Sequence, residues 1–101
     1  MKNLLRMGKS QMPVNVTDWK HPKVRVELAP EDSSVIKSME FQKRQETGLF
    51  DLVVRFRSDS MYHYFEVEEI DISQVLFSHS IGSTFNRLIS QTDKYRFEKL
   101  F

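Results

Sequence analysis

The chain has 101 residues, 40% hydrophobic and 29% charged, with a net charge of +1 and no cysteine. That is enough for one folded domain with a modest core and too little for two; without a thiol there is no disulfide, cysteine nucleophile or cysteine-ligated zinc. No apolar run reaches the ~18 residues of a membrane span, and the opening MKNLLRMGKSQM lacks the apolar stretch of a secretion signal, so a cytoplasmic protein with no membrane partner is expected.

Residues 1–12 have no clear periodicity and read as a mobile tail or a loosely docked one. KVRVEL (Lys23 to Leu28) alternates Val24, Val26 and Leu28 with charge and reads as a strand, ended by Ala29-Pro30. SSVIKSMEF (Ser33 to Phe41) reads as a second strand and QKRQETG as a charged turn closing on Gly48. LFDLVVRF (Leu49 to Phe56) is the strongest strand, its β-branched and aromatic residues alternating with charge. Ser58-Asp59-Ser60 is turn chemistry, and MYHYFEV (Met61 to Val67) is the returning partner. The period then lengthens. Ile72, Val75, Leu76 and His79 lie on one stripe and Ile81, Phe85, Leu88 and Ile89 on another, which predicts two short helices broken near Gly82, with Ser80 or Ser83 as a cap. The closing YRFEKLF is too apolar to float free and is expected to dock, on this chain or on a second copy. The whole predicts an α+β fold, an antiparallel meander of three to four strands packed on one face by two short C-terminal helices. Residues 1–32 form an N-terminal extension of tail plus one strand, and 33–101 the domain with its apolar C-terminal tail.

Four stretches recur in order: SSVI (Ser33 to Ile36), the strand ending in VRFRS (Val54 to Ser58), the Tyr62-His63-Tyr64 triplet, and SIGSTFNRLI (Ser80 to Ile89). Together they resemble the KTSC domain, a short module at the C-terminus of some lysyl-tRNA synthetases and in stand-alone bacterial and phage proteins, over roughly residues 33–91. The triplet matches that family's YxY and the last stretch its Ser-x-Gly-x-x-Phe-Asn-x-x-Ile helix. Asp59 stands where the family usually has Gly in the hairpin, and Glu68 where it often has Pro. The resemblance implies a fold and a place for the site, and RNA binding only as a suggestion made for the family.

The hairpin register decides what the two tyrosines do, because a slip of one residue turns every side chain over. A two-residue turn at Ser58-Asp59 sets Val54 opposite His63 and leaves Tyr62 and Tyr64 outside with Arg55 and Arg57, a surface on which a base stacks with guanidinium groups for phosphate. A three-residue turn at Ser58 to Ser60 sets Phe56 opposite Tyr62 and Val54 opposite Tyr64, joins both rings to the core and leaves His63 outside beside Arg55. The family pattern, with Tyr and Phe of adjacent strands on one face, leans toward the second. The start of the Ser80–Ile89 helix offers a second feature: outward amides, Gly82 open to close approach, and Asn86 and Arg87 one turn on. It reads either as a compact anion site or as a cap and a tight helix junction.

His21, His63 and His79 are far apart and fit no metal motif, and Glu66, Glu68, Glu69 and Asp71 lack the spacing of a calcium loop. There is no Gly-x-Ser-x-Gly turn and no Walker loop. No catalytic residue, metal or cofactor is expected. The function expected is a small non-catalytic binding module for nucleic acid, RNA in particular, or for a phosphate-bearing nucleotide. Arg55, Arg57, Tyr62, Tyr64, Ser80, Gly82, Asn86 and Arg87 would form its site. The alternative is a phage- or bacteria-encoded adaptor or inhibitor that binds a host protein, and a homo-oligomer through the C-terminal tail is also open. Charge bears on the choice: six basic against two acidic side chains give residues 1–30 a net +4, and nine against twelve give the rest −3. An acidic body attracts a phosphate backbone poorly.

Overall fold

Runs of strand-forming residues alternate with turn residues, and in the computed structural model, described here for residues 23–101, each strand pairs with its neighbours in sequence. The elements are β1 (Lys23–Glu27), β2 (Ile36–Lys43), β3 (Phe50–Phe56), β4 (Met61–Val67), α1 (Glu69–Leu76), α2 (Ile81–Phe85), a π-helical turn (Asn86–Ser90) and β5 (Phe97–Lys99). The five strands form one antiparallel sheet in the order β1-β2-β3-β4-β5. The α+β meander is as predicted, with one strand more than the three to four expected, because YRFEKLF docks as a strand at the sheet edge. The expected N-terminal tail lies outside the described residues, as does His21. Among the described residues no helix is long and apolar enough to cross a membrane.

One face of the sheet is the core. Val24, Val26, Met39, Phe41, Leu52, Val54, Tyr64 and Val67 are buried there with Ile72 and Val75 of α1 and Ile81, Phe85 and Ile89 beyond it. Each such side chain contributes about 1.5–3 kcal/mol by leaving water. Phe85 seats α2, its ring edge-on to Phe56 at 5.9 Å and to Tyr64 at 5.6 Å. His79, placed on the first helical stripe by its spacing, lies past the end of α1 and is exposed.

The β3–β4 hairpin has neither register expected. Phe56 N–H donates to the Ser60 carbonyl at 2.9 Å and Asp59 N–H to the Phe56 carbonyl at 2.9 Å, so the loop is Arg57-Ser58-Asp59, one residue earlier than the three-residue turn expected. Val54 faces Tyr62 and Leu52 faces Tyr64. The cause is Asp59, which takes φ +74°. A short polar side chain tolerates that left-handed conformation, and a three-residue hairpin loop needs it at its last position. The change leaves both tyrosines on the core face. Further along, Phe65 and Glu66 both stand opposite Asp51, a bulge with Glu66 at φ +56° that returns Val67 to the core opposite Phe50.

The acidic run after β4 is used to fasten the C-terminal segment. Tyr95 Oη donates to Asp71 Oδ2 and accepts from Glu68 N–H at 3.1 Å, and Lys94 Nζ reaches Asp71 at 2.9 Å and Glu68 at 3.0 Å. Tyr95 and Asp71 are buried. This latch sets the start of β5.

Candidate functional site

The eight residues expected to form one site are distributed over both faces of the sheet, the hairpin loop and the start of α2. Tyr62 and Tyr64 belong to the inner face: Tyr64 is 4% exposed and Tyr62 is half-buried, edge-on to Phe56 at 5.8 Å. Arg55 is on the outer face between Ser38 and Met61, not across from Tyr62 or His63. Arg57 serves the fold. Its Nε donates to the Ser33 carbonyl at 3.1 Å, its Nη2 to the Leu28 carbonyl at 2.6 Å, and its backbone N–H to Val35. Among the described residues no stacking surface of tyrosine and arginine is assembled.

Ser80, Gly82 and Asn86 do come together, in a cleft of about 400 Å³ between the Pro30–Val35 loop and the start of α2. Arg87, the next residue along, is exposed. The cleft does not have the chemistry of an anion site. Glu31 and Asp32 line it, and among the described residues no Lys or Arg does. Ser80 makes no side-chain cap, and the hydroxyl at work is that of Ser78, which accepts from Ser80 N–H at 2.9 Å and bonds Thr84 Oγ1 at 2.6 Å. A side chain at Gly82 would meet Ser33 Oγ at 3.7 Å and Val35 at 4.0 Å, ordinary contacts, so the glycine is not required by crowding.

The outer face of the sheet is polar and largely self-paired. Asp51 accepts two hydrogen bonds from Arg44 at 3.0 Å each and lies 3.2 Å from His63 Nε2. Burial alone would raise its carboxyl, but the hydrogen bonds from Arg44 and His63 and their charge outweigh that and hold it below the usual carboxylate range. The Phe65 ring has His63 stacked on it at 3.9 Å and the Arg96 guanidinium over it, also at 3.9 Å. Two groups so close to one ring centre take its two faces, and neither face is left for a base.

Of the two outer strands of the sheet, β1 and β5, the one bordered by exposed apolar side chains among the described residues is β5. Phe65 N–H donates to the Arg96 carbonyl at 2.9 Å and Leu100 N–H to the Met61 carbonyl at 2.7 Å, so the even-numbered residues of this segment point toward β4. In an antiparallel ladder the residues between them, Phe97 and Lys99, turn their N–H and C=O the other way. Among the described residues no strand lies beyond them. The edge is apolar as well: Phe97 is 54% exposed, Leu100 41% and Phe101 66%. The Phe97 ring leans on Tyr62 at 5.9 Å and Tyr64 at 5.7 Å, and Lys99 Nζ stands 6.0 Å from the Tyr62 ring. Of these residues the sequence signalled only the tail's tendency to dock; a strand of three residues is too short for a period to be read.

The family model described as KTSC domain matches residues 32–95, well over half of the chain. The chain belongs to the KTSC domain family. No curated protein matches it. The KTSC match holds β2, β3, β4, both helices and the latch tyrosine, whereas β1 precedes it and β5 follows it. The β5 edge is therefore formed by residues outside the matched segment.

Proposed function

We propose that this KTSC domain is a non-catalytic module that binds another protein by accepting an extended segment along β5. The observation that carries the reading is the coincidence of backbone groups at Phe97 and Lys99 that have no partner among the described residues with exposed apolar side chains at Phe97, Leu100 and Phe101. An open strand edge supplies main-chain hydrogen bonds and the flanking side chains supply selectivity, the means by which sheet edges take up peptides. An exposed apolar edge left bare is an aggregation hazard, so a partner is the economical explanation for it. The RNA or nucleotide reading loses support because the tyrosines are on the inner face and Phe65 is covered on both sides. In a pull-down from host lysate, with proteins, RNA and nucleotides all analysed, wild-type protein is expected to retain a protein that Phe97→Asp does not. Retention of RNA by both would overturn the proposal.

One observation favours a second reading. Ser80, Gly82 and Asn86 converge on the cleft, and Glu31 and Asp32 beside them suit the hydroxyls and amines of a nucleoside better than its phosphates. A melting temperature raised by a nucleoside and less so by its phosphate would support it, since only binding to the folded state stabilises.

A further inference from the structure

We infer that the extended segment best fitted to the β5 edge is β5 of a second copy of this chain, paired across a two-fold axis at Phe97. The inference rests on β5 being the working edge and names its occupant. The argument is one of register. Main-chain bonds across the new seam are made by the outward-pointing residues Phe97 and Lys99, so the two-fold axis can fall at Phe97, at Glu98 or at Lys99. An axis at Glu98 sets Glu98 against Glu98 of the second copy, and an axis at Lys99 sets lysine against lysine; like charges directly opposite one another are unfavourable. An axis at Phe97 sets Phe97 against Phe97, Arg96 against Glu98 of the second copy, and Glu98 against its Arg96. The triplet Arg96-Phe97-Glu98 is thus complementary to itself when reversed, as a two-fold interface requires. Arg96 and Glu98 share the outer face, where both are exposed and where the Arg96 guanidinium must turn from the Phe65 ring to meet Glu98 of the second copy, and Phe97 is on the inner face beside Tyr62 and Tyr64. The aromatic cluster is continued across the axis, and two five-stranded sheets become one of ten.

So short a seam belongs to the small, concentration-dependent class of interfaces. In sedimentation equilibrium at about 1 mM, wild type is expected to approach twice its 12.0 kDa and to fall back on dilution. Arg96→Glu and Glu98→Arg should each be monomeric, since each sets like charges together twice. An equimolar mixture of the two should recover the dimer, because every glutamate of one then faces an arginine of the other. Phe97→Pro removes an outward N–H without touching the bonds to β4 and should also be monomeric. Melting curves like that of wild type establish that the variants are folded. A monomeric wild type, single variants that still dimerise, or a mixture that stays monomeric would each overturn the inference. A monomeric wild type that still retains a protein through Phe97 loses this inference alone, and one that retains nothing loses the proposed function with it.

Discussion

Arg57 holds the hairpin to the loop before β2 through two backbone carbonyls, and its geometry predicts what lysine cannot do. Arg57→Ala is expected to cost about 1.5–3 kcal/mol, as loss of hydrogen bonds from a charged donor does. Arg57→Lys should recover little of it, because one ammonium cannot reach both the Ser33 and Leu28 oxygens as the planar fork does. Urea denaturation of the three proteins checks this. The same experiment separates the tyrosines. Tyr64→Ala opens a cavity beside Phe85 and should cost about 3–5 kcal/mol, and Tyr62→Ala clearly less, since its ring is only half-buried. Glycines divide in the opposite sense. Gly48 sits at φ +76°, so Gly48→Ala should cost about 1–2 kcal/mol, while Gly82→Ala, in a helix with room for a methyl group, should gain about 0.5–1 kcal/mol. Arginine's role and the needlessness of Gly82 were not legible in the sequence, because hydrogen bonding to distant main chain leaves no local pattern. That Asp59 stands where relatives carry glycine was legible, and the positive φ there is the physical content of that position.

Among the elements, β2, β3 and β4 were readable because alternation over seven or eight residues far exceeds chance. β4 nonetheless contains what alternation hides. A strict period of two through MYHYFEV would place Tyr62, Tyr64 and Glu66 on one face, and only the bulge turns Glu66 outward and Val67 inward. The junction of β4 with α1 shows how the chain manages without the family's proline. Glu68 has φ −74°, an angle proline would hold, and its N–H is free to bond Tyr95 as proline's ring could not. The latch this completes is sensitive to acid. Burial works against the charge of Asp71, but the hydrogen bonds from Tyr95 and Lys94 and the nearby ammonium prevail and keep its carboxyl below the usual value. A folded pKa below the unfolded one gives stability that is whole above the ordinary carboxylate pKa of ~3.9 and is lost as pH falls through the folded value. Melting temperatures should therefore hold steady from neutral pH to about pH 5 and then decline. Asp71→Asn should lower the plateau and flatten the decline, leaving the part that Asp51 contributes in the same direction.

For the molecule as a whole, the match to the family and the sheet order give the same boundary. Residues 32–95 contain a sheet of three strands and its helices, to which β1 and β5 add the two outer strands. Removing residues 96–101 leaves the latch in place but bares the edge of β4 and uncovers Tyr62. The truncated protein is expected to unfold cooperatively at a lower temperature and to associate through the new edge, seen as a concentration-dependent elution volume. A persistent monomer with an unchanged melt would show β5 to be dispensable to the fold.

The pairing of Tyr62 with Lys99 has a consequence in time. β3 and β4 meet across a loop of three residues, whereas β4 and β5 meet only after the chain has closed over both helices. Contacts between distant segments form late, when the sheet and its helical cover already exist to receive them. The Tyr95 hydroxyl should thus have little part in the barrier to folding. Tyr95→Phe is expected to leave the refolding rate near that of wild type and to place most of its lost stability in faster unfolding, a φ-value close to zero in stopped-flow measurements. The seal on the last strand would then govern how long the folded molecule lasts, and hardly at all how quickly it is made.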